Sequence, residues 1–188
     1  MVTKKDIITG ITVVLVFFIA GCEFNNPAAG GKETAMPIQV TSGSFQTNQV
    51  IPKKFTCDGE NLSPSLAWSN LPVGSKSLAI VCEDPDAPAG NFLHWLIFNI
   101  DPVIGGLPEG VSEKSSVIGL ALQGKNGFGK VGYGGPCPPR GATHRYFFRI
   151  YALDKTLELN SGAARPDLAK AMQGHVLGEG ELMGLYSR

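Results

Sequence analysis

The chain has 188 residues, with 16 Lys and Arg against 16 Asp and Glu, so its formal charge is zero. That length holds one substantial core beside a leader, and the even balance excludes a nucleic-acid surface or a polybasic membrane patch as the organising feature. With 24 Gly and 13 Pro and few stretches of helical period, the composition points to a loop-rich β protein.

An apolar run over residues 7–20 follows Lys4 and Lys5 and is shorter than the about 20 residues a membrane-spanning helix wants. Ile19-Ala20-Gly21 leads into Cys22, and small residues directly before a Cys resemble a lipobox, where a lipoprotein is cleaved and acylated. Ile19 stands where Leu is commoner and Asp6 is unusual beside the leading cations, so the plainer alternative is an ordinary cleaved signal or a short anchor helix ending in Cys. The expectation is a lipoprotein signal peptide over residues 1–21 and an acylated, palmitate-bearing Cys22. The protein would then be anchored to a membrane of the bacterial cell envelope, inner or outer unresolved. Residues 22–36 have no periodicity and little bulk, which reads as a flexible tether to a folded domain over 37–188.

In that domain Ile38 and Val40 alternate with polar neighbours, predicting a short strand. Residues 55–68 read as a long polar loop closed by an apolar strand end, with a turn at Asp58-Gly59 and Trp68 in the core. Residues 77–82 are a nearly continuous apolar run of strand length, predicting a strand buried on both faces. It ends at Glu83-Asp84-Pro85-Asp86, where proline forbids a helix and holds both Asp residues on a fixed loop. A second apolar strand, residues 94–100, opens with His94, and the short connection makes the two strands neighbours. Six glycines between 124 and 135 predict a mobile or ligand-adapting loop that leads into the stiffer, proline-rich residues 136–141. Alternation from Arg145 to Ala152 predicts a central strand, Pro166 and Gly174 bracket a helix, and residues 178–186 read as a last short strand or extended tail.

Asp84, Asp86, His94, His144 and Tyr146 all lie at or beside loop–strand junctions. Imidazoles steadied by carboxylates, a phenol hydroxyl and the amides of a glycine-rich loop would make a small cup of donors, suited to phosphate or carboxylate. The plainer readings are a satisfied core histidine for His94, turn caps for the two Asp residues and a core aromatic for Tyr146. Two His and two Asp could also ligate zinc, but no His pair has short ligand spacing, so no metal and no cofactor are expected. A nucleophilic pair of Cys137 with His144 is conceivable, whereas in an exported chain Cys57 and Cys137, both in loops, could instead form a disulfide while Cys82 stays buried.

Three separated stretches carry a family resemblance: residues 57–68, Asp84-Pro85-Asp86-Ala87-Pro88 with His94-Trp95, and residues 134–146. Together and in this order they resemble the phosphatidylethanolamine-binding protein family, also known for the Raf kinase inhibitor proteins, and specifically its bacterial branch, over residues 37–186. The resemblance implies a mainly β fold, an antiparallel β-sandwich with one or two short helices. At one end it implies a pocket for phosphate, phospholipid headgroups or related anions, with Asp84, Asp86, His94, Pro138, Pro139, His144 and Tyr146 as ligand-binding residues. No counterpart of the eukaryotic C-terminal helical extension is seen, which weakens any kinase-inhibitor role tied to it. The leading expectation is non-enzymatic binding of a phosphate-bearing small molecule or phospholipid headgroup beside the membrane, favoured at low to neutral pH through protonated His94 or His144. The alternatives are an inhibitor or interaction protein for a kinase or protease, and a weak phosphoester-processing enzyme. A protein partner and a homodimer stay open, and no nucleic acid is expected.

Overall fold

The computed structural model describes residues 37–112, 119 and 121–188. The expected signal peptide at 1–21, Cys22 and the tether at 22–36 lie outside the described residues. Among the described residues, no helix is long and apolar enough to cross a membrane.

Two antiparallel sheets account for most of the regular structure. The smaller contains β1 (Gln39–Thr41), β2 (Leu66–Ser69) and β5 (Gly106–Leu107) in the order β1-β2-β5. The larger contains β3 (Ser77–Asp84), β4 (Phe92–Ile100), β6 (Leu122–Gln123), β7 (Thr143–Leu153) and β8 (Val176–Ser187) in the order β6-β4-β3-β7-β8. The helix α1 (Arg165–Met172) begins one residue before the expected proline, its first turn closed by the Asp167 carboxylate accepting from the Ala164 N–H at 3.1 Å.

The apolar run beginning at Ser77 is buried on both faces for the reason its composition suggests. Successive side chains of β3 alternate between two cores: Leu78, Ile80 and Cys82 pack toward the small sheet, while Ala79 and Val81 pack with Leu168 and Met172 of α1. Trp95 and Ile97 of β4 join the first core, Leu96 and Phe98 the second. The result is a sandwich with a helix on the outer face of its larger sheet.

Three expectations change at the level of elements. The strand read as ending at Cys82 runs on to Asp84, because β4 and β7 continue to pair with it on both sides. The strand expected to be central is β7, which is flanked by β3 and β8 and shows the expected alternation of buried and more exposed residues. The C-terminal stretch read as a last short strand or extended tail is the 12-residue strand β8, paired along all of β7. Gly180 of β8 lets the chain just before β1 pass close over it: a Cβ there would lie 2.0 Å from the carbonyl oxygen of Ile38.

The third change concerns the glycine-rich segment, which is pinned. The Asn126 side chain donates to the Gly132 carbonyl at 2.9 Å and accepts from the N–H groups of Phe128 and Lys130 at 3.0 and 3.1 Å. The Gly134 N–H donates to the His94 carbonyl at 2.8 Å, and that of Gly135 to Asn61 Oδ1 at 2.7 Å. One buried amide thus supplies the order that the glycines lack.

Candidate functional site

Antiparallel pairing sets the end of β3 beside the beginnings of β4 and β7. Asp84, His94 and His144 are therefore delivered to one end of the sandwich by three adjacent strands. His94 is further re-aimed by a bulge: Cys82 pairs with Trp95 and Glu83 with Leu93, so the register skips His94.

The Nδ1–H of His94 donates to the Gly134 carbonyl at 2.6 Å. A carbonyl only accepts, so in the neutral ring the proton sits on Nδ1 and the lone pair on Nε2. Burial pushes the His94 pKa below its ordinary 6.5, only partly opposed by the Gly134 carbonyl and the Asp84 charge. Burial thus favours the neutral His94 ring, so attraction from a protonated His94 would require a pH below 6.5.

His144 donates through Nδ1 to Asp84 Oδ2 at 2.8 Å, with both side chains more than nine-tenths buried. The other Asp84 oxygen accepts from the Asp86 N–H at 2.9 Å. Among the described residues neither histidine Nε2 has a hydrogen-bond partner in the protein, and both rings line a cavity of about 310 Å³.

Its walls are largely apolar, built from Phe92, Phe128, Pro88, Pro138 and Pro139. The rings of Phe92, Phe128 and His94 pack edge to face, with centroids 4.8 to 5.6 Å apart. Arg188 adds a cation at the rim, held by Asp58 at 3.0 Å. Asp58 in turn accepts from the Tyr186 hydroxyl at 2.8 Å, and this bond, with Arg188 behind it, keeps its carboxyl below the usual range. Cys57 and Cys137 are joined by a disulfide with Cα atoms 5.4 Å apart, so Cys137 carries no thiol for the nucleophilic pair considered with His144.

Of the seven expected ligand-binding residues, Asp84, His94, Pro138, Pro139 and His144 line this cavity, and Asp86 and Tyr146 do not. Asp86 is taken up by Arg145, whose Nε and Nη2 donate to its two oxygens at 2.9 and 2.7 Å while the Arg145 N–H adds a bond of 2.9 Å. That fork holds the Asp86 pKa at about 2 and fastens the β3–β4 turn onto β7. Tyr146 is fully buried, its ring edge to face with that of His94 at 5.2 Å. Its hydroxyl has no hydrogen-bond partner among the described residues, and burial with the nearby Asp84 charge raises its pKa far above the usual phenol value.

Phe92 and Arg188 were not expected from the sequence, and Phe128 figured there only as one member of the glycine-rich run. Their one local signal is the spacing of Phe92 two residues before His94; Arg188 has none. Asp84 pairs with His144 and Asp86 with Arg145, and among the described residues no cluster of three His, Cys, Asp or Glu is arranged to hold a metal.

The sequence model of the family described as phosphatidylethanolamine-binding protein matches residues 41–187. The chain belongs to this family. A UPF0098 protein of Methanothermobacter thermautotrophicus is 52% identical over 145 residues, covering 77% of this chain and 95% of that relative. A crystal structure from Chlamydia trachomatis, described as a phosphatidylethanolamine-binding protein homologue, is 41% identical with a TM-score of 0.74, covering 81% of this chain and 98% of the other. The crystal structure of Escherichia coli YbcL, described as a new member of the mammalian family, gives a TM-score of 0.76 at 31% identity, over 81% of this chain and 99% of that one. The phosphatidylethanolamine-binding protein fold is thus shared with solved bacterial structures, and family membership supports a binding-type function in general terms.

Proposed function

We propose that this family member binds the phosphate of a small molecule or phospholipid headgroup in the Asp84/His94/His144 cavity, without chemical turnover, while tethered to a membrane of the cell envelope through an acylated Cys22. One observation carries the reading: each histidine spends Nδ1 on the protein and leaves Nε2 to the cavity. Neutral His94 accepts from a P–OH or a headgroup ammonium, and His144, backed by Asp84, donates to a phosphate oxygen when its ring carries the second proton. Arg188 supplies charge at the rim, and the Phe and Pro walls exclude the water that would weaken these contacts. At about 310 Å³ the cavity lies at the small end of ligand sites, which suits a headgroup and leaves acyl chains outside.

Calorimetric titration of the full chain in non-ionic detergent with inorganic phosphate and with phosphoethanolamine tests the pocket. Saturable binding that is lost in His144→Ala is expected; absence of binding to both compounds sinks the proposal. Membrane fractionation of Cys22→Ser tests the tether separately, with release from the membrane as the expected result and unchanged retention as the refuting one.

A further inference from the structure

A second cavity of about 300 Å³ lies next to the first and is separated from it by Phe128, whose ring lines both. The disulfide forms part of the same partition, with Cys57 on one side and Cys137 on the other. Gly134 lines the second cavity while its carbonyl holds His94 in the first. Close packing at the partition needs glycine: a Cβ on Gly134 would lie 2.6 Å from the Phe128 ring and 3.3 Å from the Asn126 amide nitrogen.

The Asn126 amide and the Tyr133 hydroxyl of this second cavity are engaged within the protein, and the side-chain polar groups it leaves over are donors. Asn61 turns its Oδ1 to the Gly135 N–H at 2.7 Å, which fixes the amide orientation and leaves its NH₂ group without a partner among the described residues. Lys130 lines the same space and has no ion-pair partner among the described residues. No carboxylate lines it. A cavity that presents unmatched donors and a cation, with Val131 and Tyr133 as its apolar wall, is complementary to an acceptor-rich anionic group.

We propose that this second cavity is an accessory subsite, in which Lys130 and Asn61 take a carboxylate or second phosphate carried by the same ligand whose phosphate enters the histidine pocket. The inference rests on the phosphate reading of that pocket and narrows it to ligands with two acidic groups. The linker has to clear the Phe128 ring, which lines both cavities, and groups in contact with opposite sides of an aromatic ring lie about 7 Å or more apart, so about six or seven bonds between the acidic centres are needed. Occupying both cavities ties two weak contacts into one binding event, so affinity rises without enlarging either pocket.

The test compares three probes on the full chain by calorimetry: inorganic phosphate, phosphoethanolamine, whose second group is a cation, and 6-phosphogluconate, whose second group is a carboxylate seven bonds from the phosphorus. The carboxylate probe is expected to bind about tenfold more tightly than phosphoethanolamine, the scale of one charge-assisted contact at a partly exposed site. Lys130→Gln is expected to remove that advantage while leaving inorganic phosphate affinity unchanged, which also shows that the variant is folded. Equal affinity for the two esters, or a carboxylate preference that survives Lys130→Gln, overturns the subsite and leaves the first pocket standing. Failure of inorganic phosphate itself to bind removes both.

Discussion

Replacing both Cys57 and Cys137 by Ala removes the cross-link between two segments separated by 80 residues. Both positions are exposed, so truncation opens no core cavity, and the Cys57 N–H still donates to the Pro136 carbonyl at 3.1 Å. The native contact therefore survives, and the effect falls on the unfolded chain. In the chain-entropy account, freeing a loop of this length restores about 4.5 kcal/mol to the unfolded ensemble. For a domain of this size that corresponds to a fall of roughly 10–15 °C in Tm, or about 2 M in the urea midpoint. Urea denaturation followed by far-UV circular dichroism, comparing the oxidised protein with the double variant, measures it. The same variant is expected to bind phosphate more weakly, because Cys137 and the prolines after it line the first cavity. A midpoint shift under about 0.5 M urea would refute the reasoning, since the disulfide would then close a loop that other contacts already hold in the denatured state.

Three further outcomes follow from the same geometry. Because burial holds the His94 pKa below 6.5, the unfolded chain takes up that proton first, and stability falls as pH drops from 6.5 through the folded value. Urea midpoints between pH 5 and pH 7.5 should vary less in His94→Gln than in the parent, and equal variation in both contradicts the assignment. Asp86, at about 2 when folded and 3.8 ordinarily, contributes stability that is complete above 3.8 and lost as pH falls through 2. Asp86→Asn should therefore flatten the acid limb of the unfolding curve, and an unchanged limb means that the Arg145 fork is not maintained in solution. Gly135→Ala sets a Cβ 2.5 Å from the Phe55 carbonyl oxygen and 2.8 Å from the Thr56 Cα, backbone atoms that cannot rotate away. A loss of about 3 kcal/mol is expected by denaturant titration, and a loss below about 0.5 kcal/mol shows that this loop yields where the packing says it cannot.

The sequence by itself determined a loop-rich β protein with one convincing helix, because those signals are local and periodic, and the two-sheet sandwich was what its family resemblance implied. Alternation in β7 marks one buried face, the unbroken apolar run of β3 marks two, and Pro166 and Gly174 bracket the helix. Its three separated motifs also pointed to the family, and five of the seven expected ligand-binding residues line one cavity. Only the tertiary structure decided which polar groups remain available to a ligand. Asp84 and Asp86 are two residues apart and look equivalent in sequence, yet register leaves one in the cavity and gives the other to Arg145, 59 positions away. The bulge that re-aims His94, the burial that keeps it neutral, and the placing of Phe92 and Arg188 in one wall likewise depend on strand pairing and packing. Hydrophobic period specifies which face of a strand is buried, but ligand chemistry depends on side chains that meet across the ends of several strands, and no window along the chain contains that meeting.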